Sequence, residues 1–124
     1  MAKTIFIIED EIFLQGLEAM RLTKEGYTVL TAVNGAEANK IIDSKVKIDL
    51  VLLDLMLPDI DGFTILEKFR KNKDLHDVKI VIFSNLSEEN DIERAKKLGI
   101  SDFMIKSNFD LGQLAMKVKE LVGQ

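Results

Sequence analysis

The chain has 124 residues, 47% of them hydrophobic and 31% charged, the proportions of one soluble globular domain with little room for a second. It has no cysteine and a single histidine, His76, which excludes a disulfide framework, thiolate metal sites, a cysteine nucleophile and histidine clusters. Seventeen basic against twenty-one acidic side chains give a net charge of −4, so charge offers no reason for direct contact with nucleic acid.

Five short apolar runs alternate with five amphipathic segments. The first run, Thr4–Ile8, reads as a strand covered on both faces; it is too brief for a signal peptide or a membrane span. A cytoplasmic location without membrane contact is the expectation. Phe13, Leu17 and Met20 follow at helical spacing, predicting a first helix with that stripe as its apolar face and a stop at Gly26. Tyr27–Ala32 predicts a second strand, and Ala38, Ile41 and Ile42 a second helix. Leu50–Leu53 is again continuously apolar, and Ile65, Leu66 and Phe69 mark a third helix. After the fourth run, Lys79–Phe83, Ser87 followed by Glu88 and Glu89 predicts the start of a fourth helix along Ile92, Ala95 and Leu98, ending at Gly99. Asp102–Ile105 is the fifth run. Asp110 and Gln113 are then spaced as a capping box for a helix along Leu111, Leu114, Ala115, Val118 and Leu121. This alternation predicts an α/β fold with a parallel sheet, right-handed crossovers and helices on both faces. No linker or repeat divides it, so residues 1–124 are expected to form one domain with no output domain in this chain.

In open parallel sheets, ligands bind outside the carboxyl ends of the strands. There the first run ends in Glu9-Asp10-Glu11, the third in Asp54, the fourth in Ser84-Asn85 and the fifth in Lys106. Taken alone, Asp10 reads equally as a helix cap, Ser84 as a turn residue and Lys106 as a solvated charge. Asp54 resists such a reading. It lies between Leu-Val-Leu-Leu and Leu-Met-Leu-Pro, where burying a carboxylate is costly without a cation or donors. Carboxylates gathered at one edge repel unless protonated or bridged, and an all-oxygen set suits a hard ion, Mg²⁺ better than Ca²⁺. A carboxylate is also a nucleophile towards phosphorus. Mg²⁺, the Lys106 ammonium and the Ser84 hydroxyl would then hold three phosphoryl oxygens.

With these residues in place, the chain resembles a response-regulator receiver domain of two-component signalling, from Lys3 to about Val122. The resemblance is carried by Glu9-Asp10, by Asp54 within Leu-Leu-Asp-Leu-Met-Leu-Pro-Asp-Ile-Asp-Gly with Pro58 and Gly62, by Ser84 and by Lys106. It implies a flavodoxin-like fold with a five-stranded parallel sheet in the order 2-1-3-4-5. It implies that Asp54 accepts a phosphoryl group from a histidine kinase or phosphotransfer protein, in a Mg²⁺-dependent reaction. By the same likeness Asp10, Asp54 and the Met56 carbonyl bind Mg²⁺, with Glu9 helping through water. Ser84 and Lys106 contact the phosphoryl group, and Phe103 is the switch aromatic, a role compatible with its plain reading as a core residue. The implied domain is a regulatory switch rather than an enzyme, although it assists its own phosphorylation and dephosphorylation. It would meet a downstream protein through the fourth helix, fifth strand and fifth helix.

Three departures from the family pattern stand out. Ser107 occupies the usual place of proline after the lysine; without proline, a cis Lys106–Ser107 bond would cost about 3–4 kcal/mol, so a trans bond is expected. Asn85 replaces a small residue, and no output domain is expected within this chain. Met56 and Leu86 are expected to flank the approach of a hydrolytic water, and neither can orient one; Asn85 either holds that water or crowds it out, with crowding expected. A phosphatase or phosphotransferase is the rival reading. It would place a second aspartate at position 56, where Met stands, and a nucleotide or flavin module would need a Gly-rich phosphate loop that the seven glycines do not form.

Overall fold

A computed structural model describes residues 2–123. The elements run β1 (Thr4–Ile8), α1 (Ile12–Lys24), β2 (Thr28–Ala32), α2 (Gly35–Asp43), β3 (Leu50–Leu53), α3 (Gly62–Lys71), β4 (Lys79–Ser84), α4 (Glu89–Lys97), β5 (Asp102–Ile105) and, after a 3₁₀ turn at Lys106–Asn108, α5 (Leu111–Val122). All strand pairs are parallel, in the order β2-β1-β3-β4-β5. The fold is the doubly wound α/β architecture that the alternation predicts.

Strand alternation divides the core in two. Phe6, Ile8, Val51, Leu53, Ile80 and Ile82 point to one side and pack with Ala38, Ile42, Ile65, Leu66, Phe69 and Ala95 of α2, α3 and α4. Ile5, Ile7, Leu50, Leu52, Val81 and Phe83 point to the other and pack with Leu22 of α1 and Leu114, Ala115 and Val118 of α5. Each of the large fully buried side chains stabilises the fold by roughly 1.5–3 kcal/mol through burial alone.

Gly26 closes α1 at φ 99°, while its N–H donates to the Thr23 carbonyl and that of Tyr27 to the Leu22 carbonyl. That is the left-handed cap expected there. Tyr27 lies just outside the strand predicted to include it; it is buried, and its hydroxyl donates to the Gly123 carbonyl beyond α5.

Two local expectations fail. Phe13, Leu17 and Met20 are on the exposed side of α1 (81%, 37% and 69% accessible), and Gln15, Glu18 and Leu22 form its buried stripe. Gln15 sets this rotation: its side-chain amide donates to the carbonyls of Glu9 and Ala32, above the ends of β1 and β2. Nor does Ser87 cap α4. The chain stays extended through Glu88, whose carbonyl accepts the first helical bonds, from Asp91 and Ile92, and Glu89 and Asp91 place acidic charge in the first turn instead.

Candidate functional site

Because β1, β3, β4 and β5 lie side by side in register, the residues that follow them meet at one edge. Ile8 pairs with Leu53, Leu53 with Ile82, and Ser84 with Ile105. Asp54 continues β3 by donating its N–H to the Ile8 carbonyl, and it is 4% accessible. Burying that carboxylate is tolerable because both oxygens are held. Oδ1 accepts from the Met56 N–H at 2.9 Å and from the Ser84 hydroxyl at 2.6 Å. Oδ2 accepts from Lys106 Nζ at 2.6 Å.

Lys106 is the hub. Its ammonium also lies 2.6 Å from Glu9 Oε1 and 3.1 Å from Glu11 Oε2, so one cation bridges three carboxylates. Burial works against its charge, but the bonds to Asp54 and Glu9 outweigh it and raise the ammonium above its ordinary value. Glu9 is pushed up to about 7, chiefly by burial, with the Lys106 contact pulling the other way. Behind them Glu18 is buried with Oε1 unpartnered, and burial, then the neighbouring Glu9 charge, raises its carboxyl to about 8.

Oxygens of Glu9, Asp10 and Asp54 lie within 4.8 Å of one another. Two buried carboxylates and one half-buried, with no nitrogen or sulfur among them, fit a hard divalent cation. Asp10 caps no helix: the cap position of α1 is Glu11, without a side-chain bond, which leaves Asp10 facing the cleft.

The β3–α3 loop is fixed by contacts of its own. Gly62 donates to the Leu55 carbonyl, and a Cβ at Gly62 would sit 2.3 Å from Leu55 Cα, so only glycine permits the approach. Asp59 accepts from the N–H groups of Gly35 and Ala36 at the start of α2; the Gly35 bond foremost holds its carboxyl below the ordinary range. Met56, exposed at the cleft, is thereby tethered on both sides.

The cleft is lined by Asp10, Glu11, Asp54, Met56, Asn85 and Lys106 and measures about 250 Å³, room for a phosphoryl group and waters but small for a nucleotide. Leu86 is not in that lining. It is half-buried and, like Phe103, packs against the core on the α2–α3–α4 side. Ser84 already points inward. Among the described residues no peptide bond is cis, so Lys106–Ser107 is trans as expected. The Ser107 N–H donates to Asn85 Oδ1 at 3.0 Å, joining the two departing positions.

Sequence reasoning gave no role to Gln15, Glu18 or Asp59. Only Glu18 carried a signal, an acid between Leu17 and the apolar pair Ala19-Met20.

The response regulator receiver domain family matches residues 5–119. The chain is 33% identical over 122 residues to the alkaline phosphatase synthesis transcriptional regulatory protein PhoP of Bacillus subtilis, which covers 98% of this chain and 49% of that protein. The chain spans about half the length of the curated relatives it matches. Among solved structures, the response regulator protein TrrA of Thermotoga maritima, in complex with Mg²⁺-BeF, superposes with a TM-score of 0.81 at 34% identity, covering 96% of this chain and 98% of that one. A CheY-like receiver domain protein of Methanospirillum hungatei gives a TM-score of 0.88 at 25% identity, covering 97% and 93%.

Proposed function

The chain belongs to the response regulator receiver domain family, a regulatory family, and from that premise we propose that Asp54 is its phosphoacceptor. The observation that carries this reading is the Asp54 carboxylate itself, buried at the cleft floor and held at one oxygen by Ser84 and Met56 and at the other by Lys106. An oxygen lone pair of Asp54 attacks phosphorus in line. The bond from phosphorus to the donor imidazole nitrogen breaks, and its electron pair stays on the imidazole. The donor is a histidine kinase or a phosphotransfer protein.

Asp10, Asp54 and the Met56 carbonyl would hold Mg²⁺, with Glu9 reaching it through water; when bound, the ion neutralises charge on the phosphoryl oxygens. Lys106 and Ser84 act by exchanging partners. Each is hydrogen-bonded to the carboxylate beforehand, and each shifts its donor onto a phosphoryl oxygen once the acyl phosphate has formed. Phosphorylation favours the arrangement with Ser84 turned inward and Phe103 more buried than the half-buried ring seen here. Its readout for a downstream protein is the α4–β5–α5 face. Met56 and Asn85 line the entrance through which a hydrolytic water must come, and Leu86 lies behind them. A cytoplasmic site of action fits this chemistry, and among the described residues no helix is long and apolar enough to cross a membrane.

The test is incubation with a small phosphodonor, with and without chelator, followed by mapping of the modified residue by mass spectrometry. Modification at Asp54 that disappears with chelator is expected; modification that persists in Asp54→Asn overturns the assignment.

A further inference from the structure

The two residues that depart from the receiver pattern around the cleft are bonded to each other. The backbone N–H of Ser107 donates to Asn85 Oδ1 at 3.0 Å. A proline at position 107 would have no N–H to give. Because an N–H donor must meet the oxygen end of a side-chain amide, this contact also fixes which way the Asn85 amide faces. Its Nδ2 carries two donors, and it has no protein partner among the described residues. Asn85 at the same time lines the cleft beside Asp10, Asp54 and Lys106.

We propose that Asn85 is a further phosphoryl-contacting residue, its Nδ2 donating to an oxygen of the group on Asp54, and that Ser107 is the positioning residue that turns the amide to do so. The proposal rests on Asp54 being the phosphoacceptor. Two substitutions that look independent in sequence thereby form one device: the asparagine supplies a neutral donor beside the Ser84 hydroxyl and the Lys106 ammonium, and the serine at 107 keeps that donor aimed. A neutral donor adds no positive charge to a site already holding a buried lysine, so it does not weaken the cation set formed by Glu9, Asp10 and Asp54.

The test uses the full chain with beryllofluoride and Mg²⁺ as the probe, read by affinity and by the side-chain amide signals of Asn85 in NMR. A lost hydrogen bond to a charged group should weaken binding about tenfold in Asn85→Ala. Asn85→Asp still accepts from Ser107 but turns an anionic oxygen towards the probe, and should weaken binding about tenfold more. Ser107→Pro should weaken it severalfold alone and add nothing on top of Asn85→Ala. In the wild type the Asn85 amide protons should shift on adding probe, and in Ser107→Pro they should not, a signature that general loosening of the loops does not produce. Affinity for Mg²⁺ alone should be unchanged in Asn85→Ala and Ser107→Pro, and should rise in Asn85→Asp, which adds a carboxylate beside the cation set. Binding within twofold of wild type in both Asn85 variants, or additive loss in the double variant, overturns the proposal while leaving the acceptor assignment intact. Probe binding that survives Asp54→Asn overturns both.

Discussion

Two partly buried cations stand at opposite ends of the sheet, and their partners differ. Lys106 at the carboxyl end bridges the carboxylates of Glu9, Glu11 and Asp54. Arg70 at the amino end donates to the carbonyls of Leu98, His76, Val78 and Gly99. Burial lowers the Arg70 guanidinium from its ordinary value, whereas the carboxylates raise Lys106 despite its burial. Neutral carbonyls fixed in the backbone have no second role, so Arg70 is a clamp between α3, β4 and the end of α4. Anionic side chains can exchange one cation for another, so Lys106 belongs to the candidate site. The hollow beside Arg70 is the larger of the two, at about 470 Å³, yet its most potent donor is already satisfied by the fold.

Substitution at these two cations gives the sharpest contrast. Arg70→Met should cost about 3–4 kcal/mol, because several backbone carbonyls lose their donor, while phosphorylation of the folded fraction continues. Lys106→Met should cost about 3 kcal/mol in the absence of divalent cation, since three carboxylates are left without their bridge, and should abolish the response to phosphorylation. Chemical denaturation with and without Mg²⁺ separates them. Added Mg²⁺ should restore much of the stability of Lys106→Met and none of that of Arg70→Met; equal behaviour of the two would break the comparison.

A smaller effect, of about 2–3 kcal/mol, is expected from pH. Glu18 holds its proton in the folded state up to about pH 8, whereas an unfolded glutamate releases it near 4.5. Between those values unfolding releases a proton, so this carboxyl's contribution is fully present below about pH 4.5 and is lost as pH rises towards 8. Between pH 6 and 8 the wild type should therefore lose about 2–3 kcal/mol relative to Glu18→Gln, which has no such proton. Parallel stability curves for the two proteins would mean that Glu18 is charged in the fold.

Gly62→Ala should cost about 2 kcal/mol or more, because its Cβ meets the Leu55 backbone and no side chain can yield there. Mg²⁺ affinity should fall with it, as the displaced loop carries the Met56 carbonyl; isothermal titration would show that. The smallest effect belongs to the outward face of α1. Phe13→Ser and Leu17→Ser should each change stability by less than about 0.5 kcal/mol for a surface position. A loss typical of a core phenylalanine, about 3 kcal/mol or more, would mean that α1 is rotated from the orientation described.

Topology and the convergence of Glu9, Asp10, Asp54, Ser84 and Lys106 at one edge were legible because both follow from strand ends. Three continuous apolar runs announce a sheet covered on both faces, and whatever polar residue ends each run must arrive at the same edge. The orientation of α1 was not legible. Apolar residues at 12, 13, 14, 17, 19, 20 and 22 occupy more than one helical face, so spacing alone leaves the rotation open. Gln15 decides it through two carbonyls that only the folded sheet brings within its reach. The Asn85–Ser107 bond was hidden for a related reason: its halves are 22 residues apart and lie in loops joined to adjacent strands. Each was visible as a departure, but their partnership exists only in three dimensions.

Tyr27 has an optical consequence. The chain contains no tryptophan and one tyrosine, whose buried ring stands at the start of β2 with its hydroxyl on the Gly123 carbonyl. Intrinsic near-ultraviolet emission therefore comes chiefly from a single fluorophore at the end of the sheet remote from Asp54. Burial raises its phenol above the ordinary value, with the Glu25 charge adding to the effect, so alkaline quenching of the emission sets in at higher pH than for a free tyrosine. That signal follows global unfolding and the fastening of the last helix. Following the cleft by light requires a reporter placed there, and exposed Met56 offers a position for it.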